Sequence, residues 1–439
     1  MISSATGMKA GERYAVESSG HSRDFSGFFL DGKYYLGPEL LTSVGWLEGQ
    51  EFYYDELDAV GDPAFPGRIA GTIEDLTLTL VDGASLKLKK VVFHAPDDEP
   101  SNQEFESSAL CEDLYVGKLR GKVVVITGAS SGIGRLAALA FACEGARLVL
   151  AARDDGALFD VLDECTECGT AAVAVATDVT SSEQMLSLGA QAAAFGNGRI
   201  DIWINNAGVG AVGSFEETPL EAHEQVLQTD LIGYLRGAYV AWPYFKKQKS
   251  GILINTLSLG SWVAQPYAAA YSASKYGLRG LSEALRGELH SYPDIHVCDI
   301  YPAVMDTPGF RDAGNYTGHS LRPPFPIYDP HNVAKAMVDC AVKPRVSTTV
   351  GSAAHLVRMA HFLLPGFNRL AGWITQLSLD RRPQSARTPG NLFEPTDNVR
   401  RAEGGWRNPQ RQVPVFLVAT ASVLILGCLV ALYRGGRMR

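Results

Sequence analysis

Basic charge is the first thing in short supply. Thirty-nine Lys and Arg stand against 48 Asp and Glu, a net charge of -9. Nucleic-acid binding usually shows a basic footprint, so that class is not expected. No secretory leader is visible, so none is expected. The first thirty residues are polar and carry no apolar core segment. Metal-ligand patterns are absent too. Cys165 and Cys168 form a single CxxC, with no second pair or nearby His to complete a zinc site, so no metal is expected. The seven cysteines (Cys111, Cys143, Cys165, Cys168, Cys298, Cys340 and Cys428) are an odd number in a long chain. A reduced compartment is the simpler reading. There are no internal repeats.

What remains is ordinary globular material, 46% hydrophobic and 20% charged over 439 residues, enough for two or three folded units. Residues 1–98 hold short aromatic and β-branched runs broken by DG, GD and PG pairs. The alternation in DLTLTLVDGASLKLKKVVF, turning at Asp82-Gly83, predicts a hairpin in a small β-rich unit of unknown role. Residues 99–117 are acidic and polar and read as a linker.

From residue 118 to 351 the pattern changes. KVVVITG, ARLVLAA, AAVAVAT, IDIWINN, GILINTLS, IHVCDIYP and STTVG are near-continuous apolar runs separated by helical stretches. Such runs suit strands buried on both faces, which predicts an α/β fold with a doubly wound parallel (Rossmann) sheet. Residues 352–378 predict a C-terminal helical cap. Residues 379–412, rich in Pro, Gly and Arg, read as a second linker. Residues 413–433, VPVFLVATASVLILGCLVALY, are 21 residues without a charge. At 1.5 Å per residue they span roughly 30 Å, the expectation for a single transmembrane helix.

The first strand of the α/β region runs into TGASSGIG. Gly128, Gly132 and Gly134 stand where a backbone turns sharply and approaches a phosphate, and the following helix directs N–H groups at that charge. Thr127, Ser130, Ser131 and Ile133 complete this candidate dinucleotide loop. After the second strand, Ala152 occupies the usual acidic position and Arg153 follows it. Arg153 suits a ribose 2′-phosphate, which favours NADP(H) over NAD(H). Asp178 follows the third strand at the adenine side. Asn205, Asn206, Ala207 and Gly208, the NNAG after the fourth strand, can hold loops together beside the cofactor.

Tyr271 and Lys275, in YSASK, are one helical turn apart and share a face. An ammonium near a phenol favours the phenolate and equips it for acid/base work. Ser258, thirteen residues before Tyr271, can hydrogen-bond a substrate oxygen. TGASSGIG, NNAG, Ser258 and YSASK, in this order and spacing, resemble the short-chain dehydrogenase/reductase family over residues 118–351. The resemblance implies hydride transfer between a nicotinamide and a carbonyl or alcohol. It implies Tyr271 as acid/base, Lys275 on the nicotinamide ribose and Ser258 as substrate anchor. Pro302, Val304 and Thr307, in YPAVMDTP, would lie by the nicotinamide. Asp230 replaces the family's Asn, whose backbone carbonyl holds a water in the proton relay.

The loop after Thr307, with its aromatics, His319 and Arg322, is expected to bind substrate. Together with the apolar run it suggests a lipophilic carbonyl compound. Homo-oligomers are a family expectation. A membrane enzyme using NADP(H) is expected to face the cytoplasm. Two alternatives stand beside this reading: a catalytically idle NADP(H)-binding sensor or scaffold, and nucleotide-sugar chemistry on a related fold. GxxxGxG spacing argues against the latter.

Overall fold

A computed structural model of the chain describes residues 4–9, 13–16, 28–35, 43–54, 68–81, 83–91, 117–396 and 401–407. The chain divides into two compact units, one built mainly from residues 1–106 and one mainly from the remainder.

The first unit is a closed antiparallel barrel. Its strands are β1 (Arg13–Val16), β2 (Phe28–Leu30), β3 (Lys33–Tyr35), β4 (Ser43–Glu48), β5 (Glu51–Tyr54), β6 (Ile69–Glu74), β7 (Thr77–Leu80) and β8 (Ser85–Val91). Each pairs with the next, and β8 pairs with β1. The hairpin read from the alternation is β7–β8, with Thr79 opposite Ser85. Leu78, Leu80, Leu86 and Leu88 point inward, as period-two patterning requires. An eight-stranded barrel is just wide enough for side chains to fill it. Phe29, Tyr34, Phe52 and Tyr54 do so, with the Phe29 and Phe52 rings edge-on at 4.7 Å.

The second unit is the doubly wound domain. In chain order it runs β9 (Val123–Thr127), α1 (Gly132–Cys143), β10 (Arg147–Ala152), α2 (Asp155–Glu167), β11 (Ala172–Ala176), α3 (Ser182–Phe195) and β12 (Ile202–Asn205). There follow β13 (Ala211–Val212), α4 (Leu220–Leu227), α5 (Gly233–Gln248), β14 (Gly251–Thr256), α6 (Ala269–Glu288) and β15 (Ile295–Pro302). The domain continues through α7 (Gly309–Asp312), β16 (Gly314–Asn315), α8 (His331–Val342), β17 (Ser347–Val350), α9 (Ala353–Leu363) and α10 (Phe367–Asp380). The main sheet has the order β11-β10-β9-β12-β14-β15-β17, and its pairings are parallel. All seven apolar runs became its strands. The order reverses between β9 and β12, the switch point outside whose carboxyl ends ligands bind in such sheets. Asp201 pins those two strands at the opposite end: it accepts the Val123 N–H at 3.0 Å and pairs with Lys122 and Arg199.

The expected cap is the helix pair α9–α10, set beside the turn that leads into α6. Arg358 lies 3.3 Å over the Trp262 ring, and Tyr267 hydrogen-bonds Gln376. Two expectations need correction. The stretch read as a second linker is packed where it is described: Thr388 bridges Asn315, Leu392 is fully buried, and Trp406 and Arg407 bond Asp306. Its Pro and Arg content reflects an extended path held by backbone bonds, not a solvated tether. The reduced reading meets one exception, Cys143, which is disulfide-bonded, while Cys165, Cys168, Cys298 and Cys340 are free. An odd cysteine count excludes complete pairing, not a single crosslink. The apolar run 413–433 lies outside the described residues. Among those described, no helix is long and apolar enough to cross a membrane.

Candidate active site

The site is built at the carboxyl ends of β9, β12, β14 and β15. At β9 the chain leaves the sheet through Thr127, whose hydroxyl donates to Ile204 O at 3.3 Å and accepts the N–H groups of Asn206 and Ala207. Gly128 follows with φ +66, and a Cβ there would stand 2.7 Å from Ala207 Cα. A Cβ on Gly134 would stand 1.9 Å from Gly128 O. Only glycine lets this loop close on the start of α1. Ser131, the residue before α1, makes no side-chain cap bond, and the Gly132 N–H donates to Arg401 O at 3.0 Å; the first-turn N–H groups and positive dipole end are of the kind that binds an anion. That donor set fits a pyrophosphate. Ser130 and Ile133 lie in the same turn, Ser130 buried and Ile133 partly so.

Arg153 follows the end of β10. Burial pulls its guanidinium down, and Asp178 opposes that effect. Asp178 itself accepts Thr180 N and Oγ1 at 2.8 Å. The Asn205 side chain requires a correction: it accepts Trp203 Nε1 and donates to Tyr234 O and Asn255 Oδ1 inside the core. Its neighbour Asn206 is the residue that ties the loops, donating to Thr127 O and Gly128 O. Ala207 lies against Gly128, and a Cβ on Gly208 would be in ordinary contact with both Asp230 oxygens at 3.5 Å.

Tyr271 and Lys275 lie on the first turns of α6. Lys275 is buried, and its Nζ donates to Thr256 O at 3.3 Å and pairs with Asp230 Oδ2 at 3.3 Å. The same ammonium lies 5.5 Å from the Tyr271 ring centre and 5.0 Å from that of Tyr234. Burial works against the Lys275 charge, but Tyr234, Asp230 and Tyr271 more than offset it, so its pKa is raised. Asp230 sits in a π-type turn, Gln228–Ile232, between α4 and α5. Burial pushes its carboxyl up, against Lys275 and the Val209 N–H it accepts at 2.8 Å. Ser258 accepts the Gly260 N–H at 3.0 Å. A Cβ on Gly260 would lie 3.3 Å from Tyr271 Cε1 and 3.4 Å from Ser258 Oγ. The hydroxyl of Ser258, the ring edge of Tyr271 and the Gln265 amide therefore crowd round the Gly260 Cα, each within 3.4 Å of where a Cβ would stand.

Pro302 closes β15, Val304 O accepts Tyr328 N at 2.8 Å, and Thr307 faces Gly132, its methyl 3.8 Å from where a Cβ would stand. His319, expected in a substrate loop, is turned to Arg382 O, and Arg322 O accepts from Arg382. Sequence reasoning missed Gly260 and Thr256; they act through space and backbone, which composition does not display.

Residues 122–316 match the family model described as short chain dehydrogenase. An uncharacterized oxidoreductase, YxnA of Bacillus subtilis, is 32% identical over 66% of this chain and 83% of its own length. The 3beta-hydroxysteroid dehydrogenase 1 of Eggerthella lenta is 36% identical over 43% of this chain and 73% of its own. A solved short-chain dehydrogenase from Streptomyces avermitilis superposes with a TM-score of 0.48 at 28% identity, covering 58% of this chain and 96% of that one.

Proposed function

Because this chain belongs to the short-chain dehydrogenase family of oxidoreductases, we propose that it is an NADP(H)-dependent enzyme interconverting a carbonyl and an alcohol through Tyr271. The observation that carries this reading is the buried Lys275 beside the Tyr271 ring, with both Ser258 Oγ and the Tyr271 ring edge close to Gly260. In reduction Tyr271 gives its proton to the carbonyl oxygen, and in oxidation it takes the alcohol's. Ser258 holds that oxygen. Lys275 keeps a positive charge next to the phenol and orients a ribose. The turn Gly128–Gly134 and the start of α1 would hold a pyrophosphate, Arg153 a 2′-phosphate, and Val304 and Thr307 the nicotinamide side. The bound nicotinamide supplies or accepts the hydride.

Substrate class rests on chemistry and likeness. The aromatic loop after Thr307 and the hydroxysteroid activity in the name of one relative favour a lipophilic, steroid-like ketone or alcohol. On sequence alone, the uncharged run 413–433 would hold such an enzyme at a membrane, its catalytic unit on the cytoplasmic side. The test is a titration of NADPH and NADH by fluorescence, followed by NADPH oxidation over a panel of aldehydes, ketosteroids and polar keto acids. The proposal expects tighter NADPH and turnover of the apolar ketones. Tight binding with no turnover on any member would instead favour the idle sensor.

A further inference from the structure

The C-terminal stretch after α10 occupies the groups that the cofactor needs. Its first part, residues 389–396, lies at Arg153. The guanidinium donates through Nη2 to Asn391 O at 2.6 Å and through Nη1 to Leu392 O at 3.2 Å and Phe393 O at 3.0 Å. Leu392 is fully buried beside Val209, Val226 and Ala270, and Gln225 also donates to its carbonyl. The second part, residues 401–407, lies at the glycine turn. Gly132 donates its N–H to Arg401 O at 3.0 Å. Gly404 and Trp406 bond Asp306, and Trp406 Nε1 donates to Thr307 O at 3.3 Å. Arg407 closes the segment on Asp329 at 2.7 Å.

A backbone N–H cannot serve Arg401 O and a phosphate oxygen at once, and a guanidinium spent on three carbonyls is not open to a 2′-phosphate. The two contact zones are the two ends of the anionic half of a dinucleotide. We propose that residues 389–396 and 401–407 form a built-in competitor of NADP(H), which the 2′-phosphate unlatches by taking Arg153 from the carbonyls of Asn391, Leu392 and Phe393. The inference rests on the NADP(H) reading above. A phosphate dianion is a stronger acceptor for a guanidinium than neutral carbonyls, so NADP(H) can release the latch where NAD(H) cannot. The segment thus adds to the cofactor preference that Arg153 sets. Apparent affinity is reduced by the fraction of molecules in which the segment is seated.

Gly404 offers a lever. A Cβ there would stand 2.4 Å from Thr307 O and 2.5 Å from the Trp406 ring, so Gly404→Val unseats the second part. In the full chain, Gly404→Val is expected to tighten NADPH binding by about tenfold, read by fluorescence titration. Trp406→Ala, which adds no volume, is expected to move it in the same direction. A wild-type experiment needs no variant: NADPH should speed tryptic cleavage after Arg401, and NADH should do so less. Protection of Arg401 by NADPH would overturn the proposal, because the segment would then close over the cofactor. Unchanged or weaker NADPH binding in both variants would also overturn it. Failure of wild type and variants alike to bind either dinucleotide would overturn the cofactor reading beneath it.

Discussion

Asp230 and Lys275 form a pair that neither residue could sustain alone. Both are buried, and removing one partner of a buried pair costs about 3–5 kcal/mol because the other charge stays behind. Asp230→Ala is expected to lower stability by that order in a denaturant melt. Asp230→Asn keeps the shape and the bond to Val209 but removes the counter-charge. The raised pKa of Lys275 then falls, so the alkaline limb of the pH–rate profile should move to lower pH. An unmoved limb would contradict the role given to the pair. The close approach at Gly260 makes a second residue-scale prediction. A Cβ there sits at 3.3–3.4 Å from both Tyr271 and Ser258, tighter than ordinary contact. Gly260→Val should raise KM for bulky ketones at least tenfold while leaving NADPH affinity unchanged, and an affinity loss would place the effect elsewhere. Tyr271, Lys275 and Ser258 stood out in the sequence as candidates because YSASK and the serine thirteen residues before it resemble the family's motifs. Asn206 was harder to separate from Asn205, since two adjacent amides on a strand end point opposite ways and only the fold says which one faces the loop.

The elements of the sheet were legible for a plain reason. A strand covered on both faces has no room for polar residues, so Val, Ile and Ala runs mark it. The joint between β9 and α1 is the least tolerant of them. With a Cβ 1.9 Å from Gly128 O, Gly134→Ala must push the turn off the helix, costing about 1–3 kcal/mol by overpacking and weakening NADPH binding; a calorimetric melt and a titration check both. At the far end of β9 and β12, burial acts against the Asp201 charge, but the Val123 N–H, Arg199 and Lys122 outweigh it and hold its carboxyl below the usual range. A depressed pKa stabilises above the unfolded value, about 3.9, and that contribution is lost as pH falls through the folded value. The stability gap between wild type and Asp201→Asn should therefore shrink below about pH 4, and a gap that stays constant down to pH 2 would contradict this assignment. The stretch after α10 was illegible as structure because its order comes from backbone bonds to Asp306, Asp312 and Asn315, and no hydrophobic period announces such bonds.

At the scale of the whole molecule, the two units have separate interiors, one aromatic and closed by eight strands, the other aliphatic around a seven-stranded sheet. The barrel's β7–β8 hairpin showed in an alternating run, but its closure did not, since pairing of β1 with β8 joins residues far apart in the chain. All the groups assigned to catalysis lie in the second unit. The central claim is that Tyr271 moves the proton that accompanies hydride transfer, and a single-turnover experiment on the full chain tests it most directly. NADPH-loaded wild type and Tyr271→Phe are mixed with an apolar ketone, and NADPH oxidation is followed. Loss of general acid/base catalysis is worth about 10²–10⁴-fold, so the account predicts a fall of that size with NADPH affinity intact. Oxidation in Tyr271→Phe at the wild-type rate would contradict it.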